Sequence, residues 1–187
     1  MNTFRTLFSI TSFALIMSCS CKQLYFTESD SLWAKSYEKG DIAIFESNKD
    51  AKRRDTITIL NKSHSMPAED CNSSVSLVNS EFYLIEAKYI HDGTANESDY
   101  LLQLAKDENV EAIPVIRIFD IEFSGSEIKD TVVTLNKFGV QNCYSFNDFQ
   151  NFNNIPNFKI KNFVWSKKLG LVQYTTEDGE KYELIER

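Results

Sequence analysis

The chain has 187 residues, enough for one domain with a substantial core. Its 20 Lys and Arg against 27 Asp and Glu leave a net charge of -7. That balance argues against a nucleic-acid partner, because phosphate recognition needs clustered cations. The one tight basic cluster, Lys52-Arg53-Arg54, lies between Asp50 and Asp55 and reads as a solvated turn.

Arg5 and the α-amino group precede an apolar run from Leu7 to Met17. At about 11 residues the run is too short to span a bilayer, but it suits the hydrophobic core of a signal peptide. It closes on Ile16-Met17-Ser18-Cys19, with a branched apolar residue, then a small residue, then Cys. This resembles the bacterial lipobox. The resemblance implies that the Cys19 thiol takes a diacylglyceryl group, that the chain is cut before it, and that the new amine is acylated as well, palmitate being the expected kind of chain. A plain secretory signal cut near Ser20, or lipidation at Cys21, is the alternative. The expected organisation is a signal peptide at 1–18, a polar tether at 19–31 and a β-rich domain at 32–187. The expected location is the bacterial cell envelope, at the outer membrane, with the periplasmic or surface face left open.

Along the domain, Gly40-Asp41 is a turn signal before the strand Ile42 to Phe45, and a charged loop from Asn48 to Arg54 leads to a second strand, Thr56 to Leu60. The polar stretch 61–80, with Pro67, reads as an irregular loop. Glu81 to Ile90 alternates as a strand covered on one side. His91-Asp92-Gly93 turns the chain. Ser98 then reads as the cap of a short helix through Lys106, because Tyr100, Leu101 and Leu104 stand at helical spacing. Val110 to Phe123 reads as the longest strand, with Ile113, Val115, Phe119, Ile121 and Phe123 on one face and Pro114 marking an edge or a bulge. Ser124-Gly125-Ser126 would turn it into a hairpin with Ile128 to Leu135. Residues 140–157 are rich in Asn and Phe, as expected of side chains capping an open sheet end. The last stretch is the best patterned: Asn162 to Trp165, Leu171 to Tyr174 and Tyr182 to Ile185, with Asp178-Gly179 as a strong hairpin turn. The expected fold is mainly β, α+β at most: an antiparallel sheet or half-barrel of about eight strands with one short helix.

Candidate chemistry is sparse. There are two His, in Ser63-His64-Ser65 and in His91-Asp92. A triad of Ser63 or Ser65 with His91 and Asp92 can be drawn, but no nucleophile elbow supports it, and an exposed turn histidine is the simpler reading. Asp120 and Glu122, with Asp130 opposite, could form paired carboxylates for acid–base work, or could be the solvent face of a strand. No metal-ligand spacing and no phosphate-cradling glycine loop occurs, so no metal or other cofactor is expected. With Cys19 and Cys21 at the processing site, Cys71 and Cys143 are the candidate disulfide in an exported chain, against the alternative of free buried thiols.

Trp33-x-x-x-Tyr37-x-x-Gly40-Asp41 followed by Phe45-Glu46-Ser47 and Asp55-Thr56-Ile57, and the run from Phe163 to Tyr174 ending in an Asp-Gly hairpin, resemble small lipoproteins of unknown function abundant in Bacteroidetes-type bacteria. The resemblance implies a β-rich domain and transfers no catalytic residue. The expected function is a non-enzymatic binding or structural module held at a membrane through the lipid anchor, with no nucleic-acid partner and with the identity of a protein or small-ligand partner left open. A carrier or sensor of a lipid-like ligand, with a cavity beneath the 98–106 helix, and a carboxylate-dependent hydrolase are the alternatives.

Overall fold

The computed structural model describes residues 22–67, 78–91, 93–108, 110–119, 121–124, 128–146 and 160–187. A short strand, Lys22–Leu24 (β1), leads into one helix, Glu28–Lys35 (α1). Next come Ile42–Ser47 (β2), Arg54–Ser65 (β3), Val78–Ser80 (β4), Phe82–His91 (β5) and Thr94–Ala105 (β6). Two short strands follow, Pro114–Ile118 (β7) and Ile121–Ser124 (β8), and then Ile128–Leu135 (β9) and Gly139–Phe146 (β10). Ile160–Ser166 (β11), Gly170–Thr176 (β12) and Lys181–Glu186 (β13) complete the described chain.

Eleven strands make one antiparallel sheet in the order β8-β7-β6-β5-β3-β2-β13-β12-β11-β10-β9, while β1 and β4 pair as a parallel ribbon. The two edge strands are consecutive in sequence, and this forces curvature. Laid flat, eleven strands would hold the edges roughly 48 Å apart at about 4.8 Å per step. Ser124 and Ile128 are only four residues apart, so their Cα atoms cannot be separated by more than about 15 Å. The sheet therefore curls into a half-barrel. Its concave face is filled by aromatic rings that meet across the curl. Phe123 on β8 lies edge-on to Phe163 on β11 at 4.5 Å, and Phe163 stacks on Phe146 of β10 at 4.2 Å.

The half-barrel has two unlike ends. At the helix end, Thr27 and Asp30 form a reciprocal capping box that starts α1. The helix lays Trp33 on Tyr144 at 4.3 Å and against Trp165. Tyr37, just beyond it, is buried over β12, where its hydroxyl accepts the Leu171 N–H at 3.0 Å. A side chain at Gly170 would collide with the Tyr37 ring, and the backbone there has φ of +76°. Only glycine meets both demands without strain. The β1–β4 ribbon lies at this end too, tied by Glu81, whose N–H donates to Leu24 O and whose carboxylate takes Phe26 N–H. At the other, turn end, the β2–β3, β5–β6, β7–β8 and β12–β13 connections gather.

The mainly β fold agrees with the alternating sequence, and the C-terminal meander is β11, β12 and β13, with Gly179 at φ +80° in its second turn. Several local expectations are corrected. The expected helix from Ser98 is instead the second half of β6, which ends at Ala105, one residue before Lys106. The β5–β6 register slips between Ile85 and Ala87, and this bulge puts Leu101 out of phase with Leu102 and Leu104 so that all three are buried. Their spacing imitates a helix for that reason. The helix is instead α1, and β1 with the first half of α1 occupies residues expected to be tether. Residues 54–65 form one continuous strand where a loop was expected from residue 61. Val110 to Phe123 is not one long strand but the β7–β8 hairpin, closed by the pair Ile118 and Ile121 around a two-residue turn. Phe119, Ile121 and Phe123 are buried as expected, but before the turn burial falls on Pro114, Ile116 and Ile118, and Ile113 is half exposed. β8 and β9 do not pair with each other; they are the opposite edges. Among the described residues thirteen strands stand where about eight were expected.

Candidate functional site

Among the described residues, the densest meeting of polar and aromatic groups outside secondary-structure pairing is at the turn end. Arg54, Asp55, Thr56, Ile57 and Ile59 alternate along β3, and Asp55 falls on the inward phase with the two isoleucines. It is fully buried. A buried carboxylate is costly without partners. Asp55 Oδ2 takes two: His91 Nδ1–H at 2.8 Å and the Tyr174 hydroxyl. Oδ1 meets no donor among the described residues.

Aromatic rings enclose the pair. Tyr174 stacks on Tyr182 at 4.9 Å, and Phe119 lies 5.0 Å from Tyr89, 5.5 Å from His91 and 5.7 Å from Tyr174. Phe119 sits at φ +49° in the two-residue β7–β8 turn. Such turns demand positive φ and usually recruit Asn or Gly, so a phenylalanine there carries strain of about 1–2 kcal/mol. Burial of its ring against three neighbours offsets that strain. Burial, followed by the charge and hydrogen bond of Asp55, pushes the Tyr174 hydroxyl well above its ordinary range, so it is a donor at any physiological pH. Asp55 accepts from His91 Nδ1 and so orients the imidazole ring. The His91 side chain retains 19% exposure, whereas that of Asp55 has none. The arrangement is thus a buried carboxylate orienting a partly accessible imidazole within an aromatic wall. It can accept or relay a proton, or hydrogen-bond a docked group.

A second buried carboxylate sits next to it. Glu180 receives Arg53 Nη1 at 2.8 and 2.6 Å and the Ser47 hydroxyl at 2.5 Å. Lys49 reaches Asp178 at 3.0 Å on the same flank. These contacts clamp the β2–β3 turn to the β12–β13 turn.

The sequence-derived candidates fall elsewhere or pair differently. His91 ends β5 and is tied to Asp55, which corrects its reading as an exposed turn residue. His64 lies on β3 with Nε2 2.6 Å from Glu81 and its ring stacked on Tyr83 at 4.0 Å. Ser63 and Ser65 are at the helix end of β3, and His91 is level with the strand's other end, so the imagined triad does not assemble. Asp92 and Asp120 lie outside the described residues. Glu122 is held by Tyr100 at 2.6 Å and Arg117 at 3.1 Å, while Asp130, on the opposite edge strand, pairs with Lys167 at 3.0 Å. Arg53 of the basic cluster is not merely solvated but bonds the buried Glu180. Cys143 is buried as a free thiol donating to Gln141 O at 3.6 Å, and burial pushes it up to about 11. Cys19, Cys21 and Cys71 lie outside the described residues. No group of three or more metal-ligating side chains occurs among the described residues.

Asp55 was missed by motif reasoning, but one signal could have found it. A charged residue on the apolar phase of a β-strand must be paired or costly, and Asp55 shares the phase of Ile57 and Ile59. Compared with known families, curated proteins and solved structures, the chain matches none.

Proposed function

We propose that the protein is a lipid-anchored, non-enzymatic binding module of a bacterial cell envelope, held at the outer membrane through Cys19, with its turn end as the partner-facing surface. The observation that carries this reading is the apolar run closing on Ile16-Met17-Ser18-Cys19, three residues before β1 begins. Binding rather than carboxylate chemistry is supported by the separate engagement of Glu122 and Asp130. A surface site rather than an interior lipid cavity is supported by the aromatic filling of the concave face and by the absence of a helix at 98–106. The decisive measurement is metabolic labelling with palmitate followed by detergent partition. Wild-type protein should take label and enter the detergent phase, and Cys19→Ala should do neither and should accumulate as precursor. A Cys19→Ala protein still processed and membrane-bound sinks the reading.

The Asp55–His91 pair favours one second reading, acid–base chemistry at the turn end. It requires turnover of chromogenic ester or glycoside substrates that is lost in His91→Gln; turnover unchanged in that variant removes it.

A further inference from the structure

We propose that the helix end of the half-barrel is a membrane-resting surface whose partner is the lipid bilayer, with Tyr25, Met66, Val110 and Ile113 meeting the interface. This rests on the reading that Cys19 carries lipid.

The argument begins with reach. A tether of residues 19–31 would have given the domain up to about 43 Å of slack at 3.3 Å per residue. The structure removes almost all of it. Lys22, Gln23 and Leu24 are already in register with Val78, Asn79 and Ser80, and Leu24 O and Phe26 N–H are both bonded to Glu81. Only three peptide steps separate Cys19 from Lys22, and these span at most about 11 Å. The polar interfacial layer of one leaflet is itself about 6 Å thick. A lipid on Cys19 therefore draws the β1–β4 ribbon and its surroundings down to the bilayer surface.

Those surroundings are apolar where they need not be. Eight large hydrophobic residues stand exposed among those described, and four of them gather here: Tyr25 at 49%, Met66 at 55%, Val110 at 48% and Ile113 at 50%. Each is tied to the Glu81–Asp30 neighbourhood by its chain. Tyr25 precedes Phe26, whose N–H is on Glu81. Met66 follows the end of β3, where His64 meets the same carboxylate. Lys106 donates through its backbone to Glu81 O and through Nζ to Val110 O, and Ala112 N–H, next to Ile113, is on Asp30. The turn end carries none of the eight; its exposed side chains include Lys49, Arg54 and Asp178. Tyrosine with shallow aliphatic neighbours is the composition that favours a membrane interface. Glu108 is paired with Lys22 at 3.4 Å, but Asp107 and Glu111 in the adjoining loop repel anionic lipid, so the surface favours a zwitterionic leaflet. The 10 residues of strand from Ser65 to Asp55 then carry the Asp55–His91 cluster about 33 Å along β3, away from the lipid.

The experiment uses the full-length lipidated protein in phosphatidylcholine vesicles containing a doxyl-labelled phospholipid as quencher. Val110→Cys, Ile113→Cys and Asp178→Cys are each labelled with bimane in a Cys21→Ser, Cys71→Ser background. Quenching at 110 and 113 should exceed that at 178 at least threefold, and should weaken when phosphatidylglycerol replaces part of the phosphatidylcholine. Equal quenching at all three positions overturns the inference while leaving the anchor intact. Flotation of wild-type and Cys19→Ala protein with the same vesicles reports the anchor separately; equal flotation of both defeats the anchor and this inference with it.

Discussion

The two ends of the half-barrel solve the same problem with opposite materials. Both must close a curled sheet whose inner face is apolar. The helix end closes with bulk: α1 presses Trp33 and Ala34 inward, and Tyr37 follows. This end buries charge as well, since Asp30 is held by Lys106 and the Ala112 amide, and Glu81 by the Phe26 amide and His64, but these pairs pin the plug rather than replace it. The turn end has no such plug among the described residues: its buried Asp55 takes His91 and Tyr174 on one oxygen while the other meets no donor there, and its buried Glu180 takes Arg53 and Ser47. Apolar closure contributes stability in proportion to area removed from water. Buried ionic closure contributes little net stability, because desolvation cancels much of the attraction. The difference implies that the helix end holds the fold together and that the turn end is arranged for something other than stability.

The sharpest way to break that contrast is Trp33→Ala. Its ring is nearly buried and stacked on Tyr144, so truncation should cost about 3–5 kcal/mol in denaturant unfolding. A cost below about 1 kcal/mol would mean that α1 is an ornament rather than a plug. Next in size is Gly170→Ala. The added Cβ would lie 2.6 Å from Tyr37 Cζ at a φ of +76°, so steric overpacking and left-handed strain together should remove about 2–4 kcal/mol. A Tyr37→Leu background should recover part of that loss; if it recovers none, the Tyr37 contact is not the cause.

What could be read in advance followed local physics. The β11–β13 meander was legible because alternation and an Asp-Gly turn agree, and nothing non-local competes with them. The β7–β8 turn was not, because Phe119 supplies the positive φ that Gly or Asn usually advertises, at a cost that only the tertiary packing on Tyr89 and His91 can offset. β6 was misread because a bulge destroys period two and leaves a spacing that mimics a helix turn. The site was the least legible part. Asp55 and His91 meet through the register of the adjacent strands β3 and β5, which local spacing does not reveal, and Tyr174 joins them from β12, with β2 and β13 between it and β3, only because the sheet curls.

The turn end yields a smaller prediction of a different kind. Asp55→Ala leaves the His91 Nδ1–H and the Tyr174 hydroxyl without their acceptor and should cost about 1–3 kcal/mol. Asp55→Asn keeps an acceptor in place and should cost about half as much or less. If the cluster serves partner recognition, Asp55→Asn changes binding far more than it changes the unfolding midpoint. Equal proportional losses in both would make Asp55 a structural residue alone.

The last prediction is the smallest and separates the two ends by pH. Burial alone would raise the Asp30 carboxyl, but backbone N–H groups of Thr27 and Ala112 and the Lys106 ammonium outweigh it and hold it below the usual value. A carboxyl depressed in the folded state adds stability that is present above the unfolded value of about 4 and is lost as pH falls through the folded one. Acid should therefore loosen the attachment of α1 to the 106–113 loop. The Ala112 amide, which donates to Asp30 Oδ1 at 2.7 Å, is the local reporter. Its hydrogen-exchange protection should fall below about pH 4 in the wild type, whereas in Asp30→Asn it should start lower and show little further dependence on pH. If the variant shows the same acid slope as the wild type, the slope comes from another carboxyl, and the helix end owes its closure to Trp33 and Tyr37 alone.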